Sequence, residues 1–269
     1  MNSISLRRKR SSVARRALLL VGAELSAVAA ISMAFPTVLR AQTEGDYLYR
    51  VVMLRAAPGE FNELMATLTE SDALLERAGD HVPFWMRHSQ GDQWDFMLLY
   101  PIGDAVDYFA PDRVDARRSE WDSDAGQALR ERMEAETTYH EEWFARSVPL
   151  EVMRGRFDGM GFFHIEMFAG LPGKRAELFE QRRMENRYYE HLGRQQNVLF
   201  VREGGSNWDA MTIGFYEDLQ AFAAAGARFS PDEQDDAARV AGFEGVSDIS
   251  PYLRSLLAYH HDTLAVGVR

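Results

Sequence analysis

From Tyr47 to Leu54 polar and apolar residues alternate, with Tyr, Val and Leu prominent, which predicts a strand. Beyond Pro58-Gly59 the period lengthens. Phe61, Leu64, Met65, Leu68 and Leu75 recur at helical spacing, and Gly79 stands where a C-cap glycine ends a helix. Phe84 to His88 and Trp94 to Tyr100 then read as a hairpin around Gln90-Gly91-Asp92-Gln93. Asp104 is a good N-cap for a second helical segment, and a longer helix is expected to run on to Ala145, with room for a short closing strand after it.

The same pattern then occurs again. Residues 47–109 lie over residues 161–223 without a gap, 114 positions on, so that Trp94-Asp95 falls on Trp208-Asp209, Pro58-Gly59 on Pro172-Gly173 and Gly79 on Gly193. Twelve of these 63 pairs are identical, where residue frequencies alone give about four. With the offset raised to 120, Phe109-Ala110-Pro111-Asp112 matches Phe229-Ser230-Pro231-Asp232, and Tyr139-His140 matches Tyr259-His260. The second copy therefore predicts a strand at Phe162 to Phe168, an N-cap at Asp218 and a long helix from about Ile249 to Ala265. The expected units are residues 42–153 and 154–269.

Strand, helix, strand, strand, helix is the order of a ferredoxin-like unit. Two such units in one chain resemble the dimeric α/β-barrel superfamily in its fused form, which includes NIPSNAP-like proteins, antibiotic-biosynthesis monooxygenases and the two-repeat chlorite dismutase group. The resemblance implies an α+β fold in which two tandem ferredoxin-like repeats form a pseudo-dimeric barrel. It implies little about chemistry, because the superfamily spans cofactor-free oxygenases, haem proteins and proteins without known activity.

Residues 1–41 are a different material. Arg7, Arg8, Lys9, Arg10, Arg15 and Arg16 form a basic region, Ala17 to Phe35 is mostly apolar, and Leu39-Arg40-Ala41 offers a cleavage point, which together read as a signal peptide for a periplasmic or secreted protein. Glu24, Gly22 and Ser26 make the apolar stretch a poor membrane span. Arg15-Arg16-Ala17-Leu18-Leu19 also resembles a twin-arginine signal, and both export routes stay open.

Removing these residues leaves 23 basic against 40 acidic side chains, a surface that repels phosphate backbones and argues against nucleic acid as a partner. With no Cys at all, disulfides, thiolate metal sites and a Cys nucleophile are excluded together.

The duplication sorts the candidate chemistry. Trp94/Trp208 and Asp95/Asp209, kept in both copies, read as structural, with His88 or Arg202 as cross-strand partners for the aspartates. His140 and His260 fall on apolar helical stripes and are expected to point into packing, as hydrogen-bonded core histidines or as ligands to a metal or haem; His261 and Asp262 beside them are expected to face solvent.

The positions that differ between copies carry the sharper reading. His164 and Glu166 share one face of a strand where the first copy has Arg50 and Val52, and a His beside a Glu can act as a general base with its partner, supply two of the three or four ligands a metal needs, or form an ordinary inter-repeat hydrogen bond with Arg50 or a helix residue. These two are the candidate catalytic residues. Arg50, Tyr188, His140 and His260 are the candidate ligand-binding residues. Two side chains are too few for a metal site, and none is assigned. Arg182-Arg183 and Tyr188-Tyr189 replace Leu68-Thr69 and Leu74-Leu75, with one Tyr expected inward and both Arg outward.

The functional expectation is an exported small-molecule-binding or oxidoreductase-like protein with its pocket in the second repeat, its cofactor unknown. A non-catalytic binding protein and a haem protein of the chlorite dismutase type stay open beside it.

Overall fold

A computed structural model describes residues 45–268. The leader expected over residues 1–41 lies outside the described residues.

The first half runs β1 (Tyr47–Ala56), α1 (Phe61–Arg77), β2 (Phe84–Gln90), β3 (Phe96–Gly103), α2 (Ala105–Tyr108), α3 (Pro111–Trp121), α4 (Asp124–Glu136) and β4 (Thr137–Ser147). After α5 (Leu150–Phe157) the second half repeats the order. It runs β5 (Phe162–Gly170), α6 (Arg175–His191), β6 (Val198–Gly204), β7 (Ala210–Tyr216), α7 (Leu219–Ala224), α8 (Pro231–Ala241), a 3-10 turn (Val246–Asp248), α9 (Ile249–Leu256) and β8 (Leu257–Gly267).

Each half builds its own antiparallel sheet, in the orders β4-β1-β3-β2 and β8-β5-β7-β6, and the two join through β2–β8 and β4–β6 into one closed eight-stranded barrel. The halves thus close on each other.

Alternation along the strands decides what faces where. Tyr49, Val51 and Met53 of β1 point inward to meet Met97, Leu99, Trp143, Phe163, Ile165, Met167, Phe200, Met211 and Phe215, so the barrel is filled by its own side chains. The other face carries Val52, Leu54 and Leu98 against Leu64, Leu68 and Leu75 of α1, and Phe168, Leu199 and Ala210 against Leu178 and Phe179 of α6. Burying each such Leu contributes about 1.5–3 kcal/mol. With the interior solid, the space for a ligand lies between the sheet and the helices outside it.

The predicted punctuation is in place. Gly79 and Gly193 end α1 and α6 with φ of 76° and 63°, the left-handed region that favours glycine. Asp104 accepts hydrogen bonds from the N–H groups of Val106 and Asp107, and Asp218 from that of Ala221. Asp95 and Asp209 each tie two strands together: they accept from the N–H groups of Ala56 and Gly170, both at 2.9 Å. Arg202 pairs with Asp209 at 2.8 Å, whereas His88 meets Asp95 through its backbone and lays its ring beside Trp94.

Two expectations fail. The helices read as running to Ala145 and Ala265 stop at Glu136 and Leu256, and the chain passes straight into β4 and β8. His140 and His260 are therefore strand residues, directly opposite Leu54 and Phe168 on the outer face of the barrel, rather than core residues of a helix. Extended backbone wins here because each strand supplies a full ladder to its neighbour, β1 or β5.

Candidate functional site

In the second half, β5, β8 and α6 bring a set of charged groups together. His164 and Glu166 project from β5 toward α6, and Asp262 joins them from β8. His164 Nε2 lies 3.5 Å from Asp262 Oδ1, and His260 Nε2 lies 3.3 Å from Asp262 Oδ2.

From α6, Arg182 reaches Glu166 at 3.4 Å and also pairs with Glu185, its side chain only 1% exposed. Thr212 on β7 donates to the same Glu166 oxygen at 3.1 Å. The guanidinium lies 4.6 Å over the Phe168 ring, its Nε donates to Gln181 at 2.7 Å, and Tyr189 donates to Glu185.

Burial and charge act against one another in this cluster. Burial pushes the Glu166 carboxyl above the usual range, with Arg182 pulling it down and Glu185 pushing it further up. At His164 burial opposes the charged ring, but the hydrogen bond to Asp262 and the charges of Glu166, Asp262 and Glu185 outweigh it, so its pKa is raised. The Asp262 carboxyl is lowered, chiefly by its hydrogen bond with His164.

The first half uses the matching space differently. A cavity of about 500 Å³ opens between β1, β3, β4 and the helices α1 and α4. Val52, Leu54, Leu75, Met133 and Trp121 give it apolar walls, and Arg50, Tyr100, His140 and Glu142 give it polar ones. Glu142 lies 3.7 Å from Arg50 and 3.6 Å from His140, and the Arg50 guanidinium sits 4.5 Å over the Tyr100 ring. Burial raises the Tyr100 phenol to about 12 despite the lowering effect of Arg50. Ser71 and Leu75 line this cavity where the second half has Glu185 and Tyr189.

The predicted site residues thus divide into two groups. His164, Glu166 and His260 come together in the second half; Arg50 and His140 come together in the first. Tyr188 joins neither. It packs against Ala237, Ala238 and Phe243 in a helix–helix contact, and Tyr189 is the tyrosine beside the charged cluster.

Two further expectations are corrected, and Asp262 faces solvent as expected while also joining the cluster. Arg182 is buried, because Glu166 and Glu185 supply the charges that make burial tolerable. His261 points to the end of the barrel interior, where Nδ1 lies 3.0 Å from Asp92 and the ring meets Trp208.

A haem would need an axial imidazole with a ring nitrogen presented to iron. His140 and His260 each turn Nε2 to a carboxylate two residues along their own strand, which leaves Nδ1 as the ring nitrogen for an iron.

This is the dimeric α/β-barrel fold with its two ferredoxin-like units fused in one chain. No protein-family model and no curated protein sequence matches the chain. Among solved structures it is similar to an anthrone oxidase-like protein, with 12% identity over 84% of this chain and 93% of that chain and a TM-score of 0.53.

It is also similar to a protein assigned as a monooxygenase from Fusobacterium nucleatum subsp. nucleatum, with 10% identity, 83% and 94% coverage and a TM-score of 0.48. A mutant chlorite dismutase from Candidatus Nitrospira defluvii matches with 10% identity, 84% and 93% coverage and a TM-score of 0.46. At such identities the likeness establishes the fold alone.

Proposed function

We propose that this is an exported small-molecule-binding protein whose ligand occupies the first-half cavity. The observation that carries this reading is a space of about 500 Å³ with apolar walls and a small set of convergent polar groups, the usual make-up of a ligand site. Arg50 sets the ligand class. Its guanidinium is held over Tyr100, only loosely paired with Glu142, and its buried Nε has no hydrogen-bond partner. A mostly apolar, ring-bearing molecule with one acidic or phenolic group supplies the missing acceptor and fills the wall of Trp121, Met133 and Leu75.

Chemistry is the finer part of the proposal. His140 lines the cavity with Glu142 behind it, so a phenolic proton can pass to the imidazole and Glu142 stabilises the cation formed. Proton removal activates a phenolic ligand toward oxidation, and with dioxygen as the electron acceptor the protein would be oxidoreductase-like, whereas a ligand held without proton transfer would make it a binding protein. Export is supported by the order of basic, apolar and small residues in residues 1–41. Among the described residues no helix is long and apolar enough to cross a membrane.

His164 and Glu166 stand on β5, across the barrel from β1, so a catalytic role for them requires a second site.

The test is a thermal-shift and tryptophan-quenching screen of hydroxylated aromatic compounds and of anthrone, a ketone whose enol tautomer is phenolic. Binding that Arg50→Met removes supports the cavity reading. Binding untouched by both Arg50→Met and Tyr100→Phe rejects it. Turnover that His140→Ala abolishes while binding survives would establish the catalytic version.

A further inference from the structure

Glu166 and Asp262 are directly opposite each other on β5 and β8, and both carboxylates lie on the outer face. Like charges so placed repel. The first half avoids the problem: Val52 stands opposite Glu142, and Arg50, which occupies the place of His164, supplies Glu142 with a fixed positive charge at 3.7 Å. In the second half Arg182 serves Glu166 and Glu185, and Asp262 is met by imidazoles, His164 at 3.5 Å and His260 at 3.3 Å. Three carboxylates are thus met by one guanidinium and two imidazoles. With neutral imidazoles the cluster is two positive charges short.

We propose that His164, Glu166 and Asp262 bind one divalent first-row metal ion, Zn²⁺ or Mn²⁺ in class, with water completing its coordination. The charge of such an ion balances the cluster. One imidazole and two carboxylates form a mixed nitrogen and oxygen donor set, which suits these ions better than Ca²⁺ or Mg²⁺ with their all-oxygen preference.

The geometry is close to that of a bound site. The three donor atoms lie within 4.8 Å of one another. Metal–ligand bonds of roughly 2.0–2.2 Å in a tetrahedral array put donors about 3.3–3.6 Å apart, so side-chain rotation has to draw the widest pair in by about 1.2–1.5 Å.

The surroundings of a metal site are present as well. Thr212 and Arg182 both approach Glu166 Oε2, which fixes the carboxylate from one side and leaves Oε1 for the ion. Gln181 and Glu185 in turn hold Arg182. Asp262 is itself half-exposed and borders a shallow cleft lined by Gly91, Asp92, Gln93, His260 and His261, so the cluster meets solvent on that side. This site is separate from the first-half cavity, and each can fail without the other.

The experiment titrates Zn²⁺ into EDTA-treated, dialysed protein by calorimetry and follows Co²⁺ by its visible absorption. One equivalent bound with micromolar or tighter Kd, together with a rise in Tm, is expected. His164→Ala and Asp262→Asn should each weaken binding by at least about tenfold. His191→Ala, on the exposed last turn of α6, should bind as the unaltered protein does. Circular dichroism in metal-free buffer shows which variants are folded, and if His164→Ala is not, the half-exposed Asp262→Asn decides alone. Absence of Zn²⁺ binding overturns the proposal, as does binding of equal affinity in the folded variants.

Discussion

Asp209, just before β7, accepts a hydrogen bond from the backbone N–H of Gly170 at the end of β5, 2.9 Å away, and Asp95 does the same for Ala56 in the first half. Each carboxylate satisfies an N–H at the margin of the barrel where a strand ladder ends. Asp209 also pairs with Arg202 at 2.8 Å and lies 3.8 Å from Arg175. Asp209→Ala is expected to cost about 1–3 kcal/mol, the usual penalty for a buried group left unsatisfied, and Asp95→Ala less, since it has fewer partners. Urea denaturation measures both, and equal losses would show that the arginine contacts contribute nothing.

Arg182 yields a sharper test because its copy in the first half is Leu68. Arg182→Leu alone strands Glu166 and Glu185 beside each other and should destabilise the fold by about 3–5 kcal/mol. Adding Glu166→Val and Glu185→Ser imports the remaining first-half residues, Val52 and Ser71, and should recover most of that loss. A triple variant no more stable than the single one would mean that the network is not the source of the effect.

Asp72 on α1 governs a pH response. Burial, with the nearby charge of Glu76, lifts its carboxyl to about 6, and Oδ1 has no hydrogen-bond donor. Its copy, Asn186, exchanges hydrogen bonds with the backbone of Asn197, a position held in the first half by Pro83, which has no N–H to offer. The folded state holds this proton more tightly than the unfolded chain, so stability falls as pH rises from about 4 to about 6 and stays lower above. Asp72→Asn should therefore raise Tm at pH 7.5 and leave it nearly unchanged at pH 4. An equal rise at both would trace the gain to something other than ionisation.

Export has a direct readout. Protein recovered from its native compartment should lack roughly its first 41 residues, and mass spectrometry finding Met1 would count against cleavage.

Most of the barrel was legible because alternation, capping residues and the 114-residue offset agree. The misreading of β4 and β8 has a physical cause. α4 meets β4 at Thr137 with no Gly or Pro between, and Leu129, Met133, Thr137, His140 and Phe144 happen to keep helical spacing across the junction. The contrary signal was the run Thr137, Thr138 and Tyr139, whose β-branched and aromatic side chains favour a strand.

That one error also hid the pairing of Asp262, since a helix there has no strand neighbour and left His164 and Glu166 without their third companion. Arg182 escaped for a different reason. Periodicity places a charge outward unless its counter-charge is known, and Glu166 and Glu185 become its neighbours only in three dimensions. The first-half cavity arises from small residues such as Ser71 facing strands across a helix, a volume that no linear pattern displays.

Fusion of the halves releases them from symmetry. In a barrel assembled from two identical subunits every substitution is made twice, so a Glu added opposite an Asp on one side appears on the other as well, and so does any groove. Here the β2–β8 and β4–β6 seams join two segments of one chain, and each half is free to mutate alone. One has kept small side chains and open space while the other has accumulated charge, a division of labour that a two-fold axis would forbid.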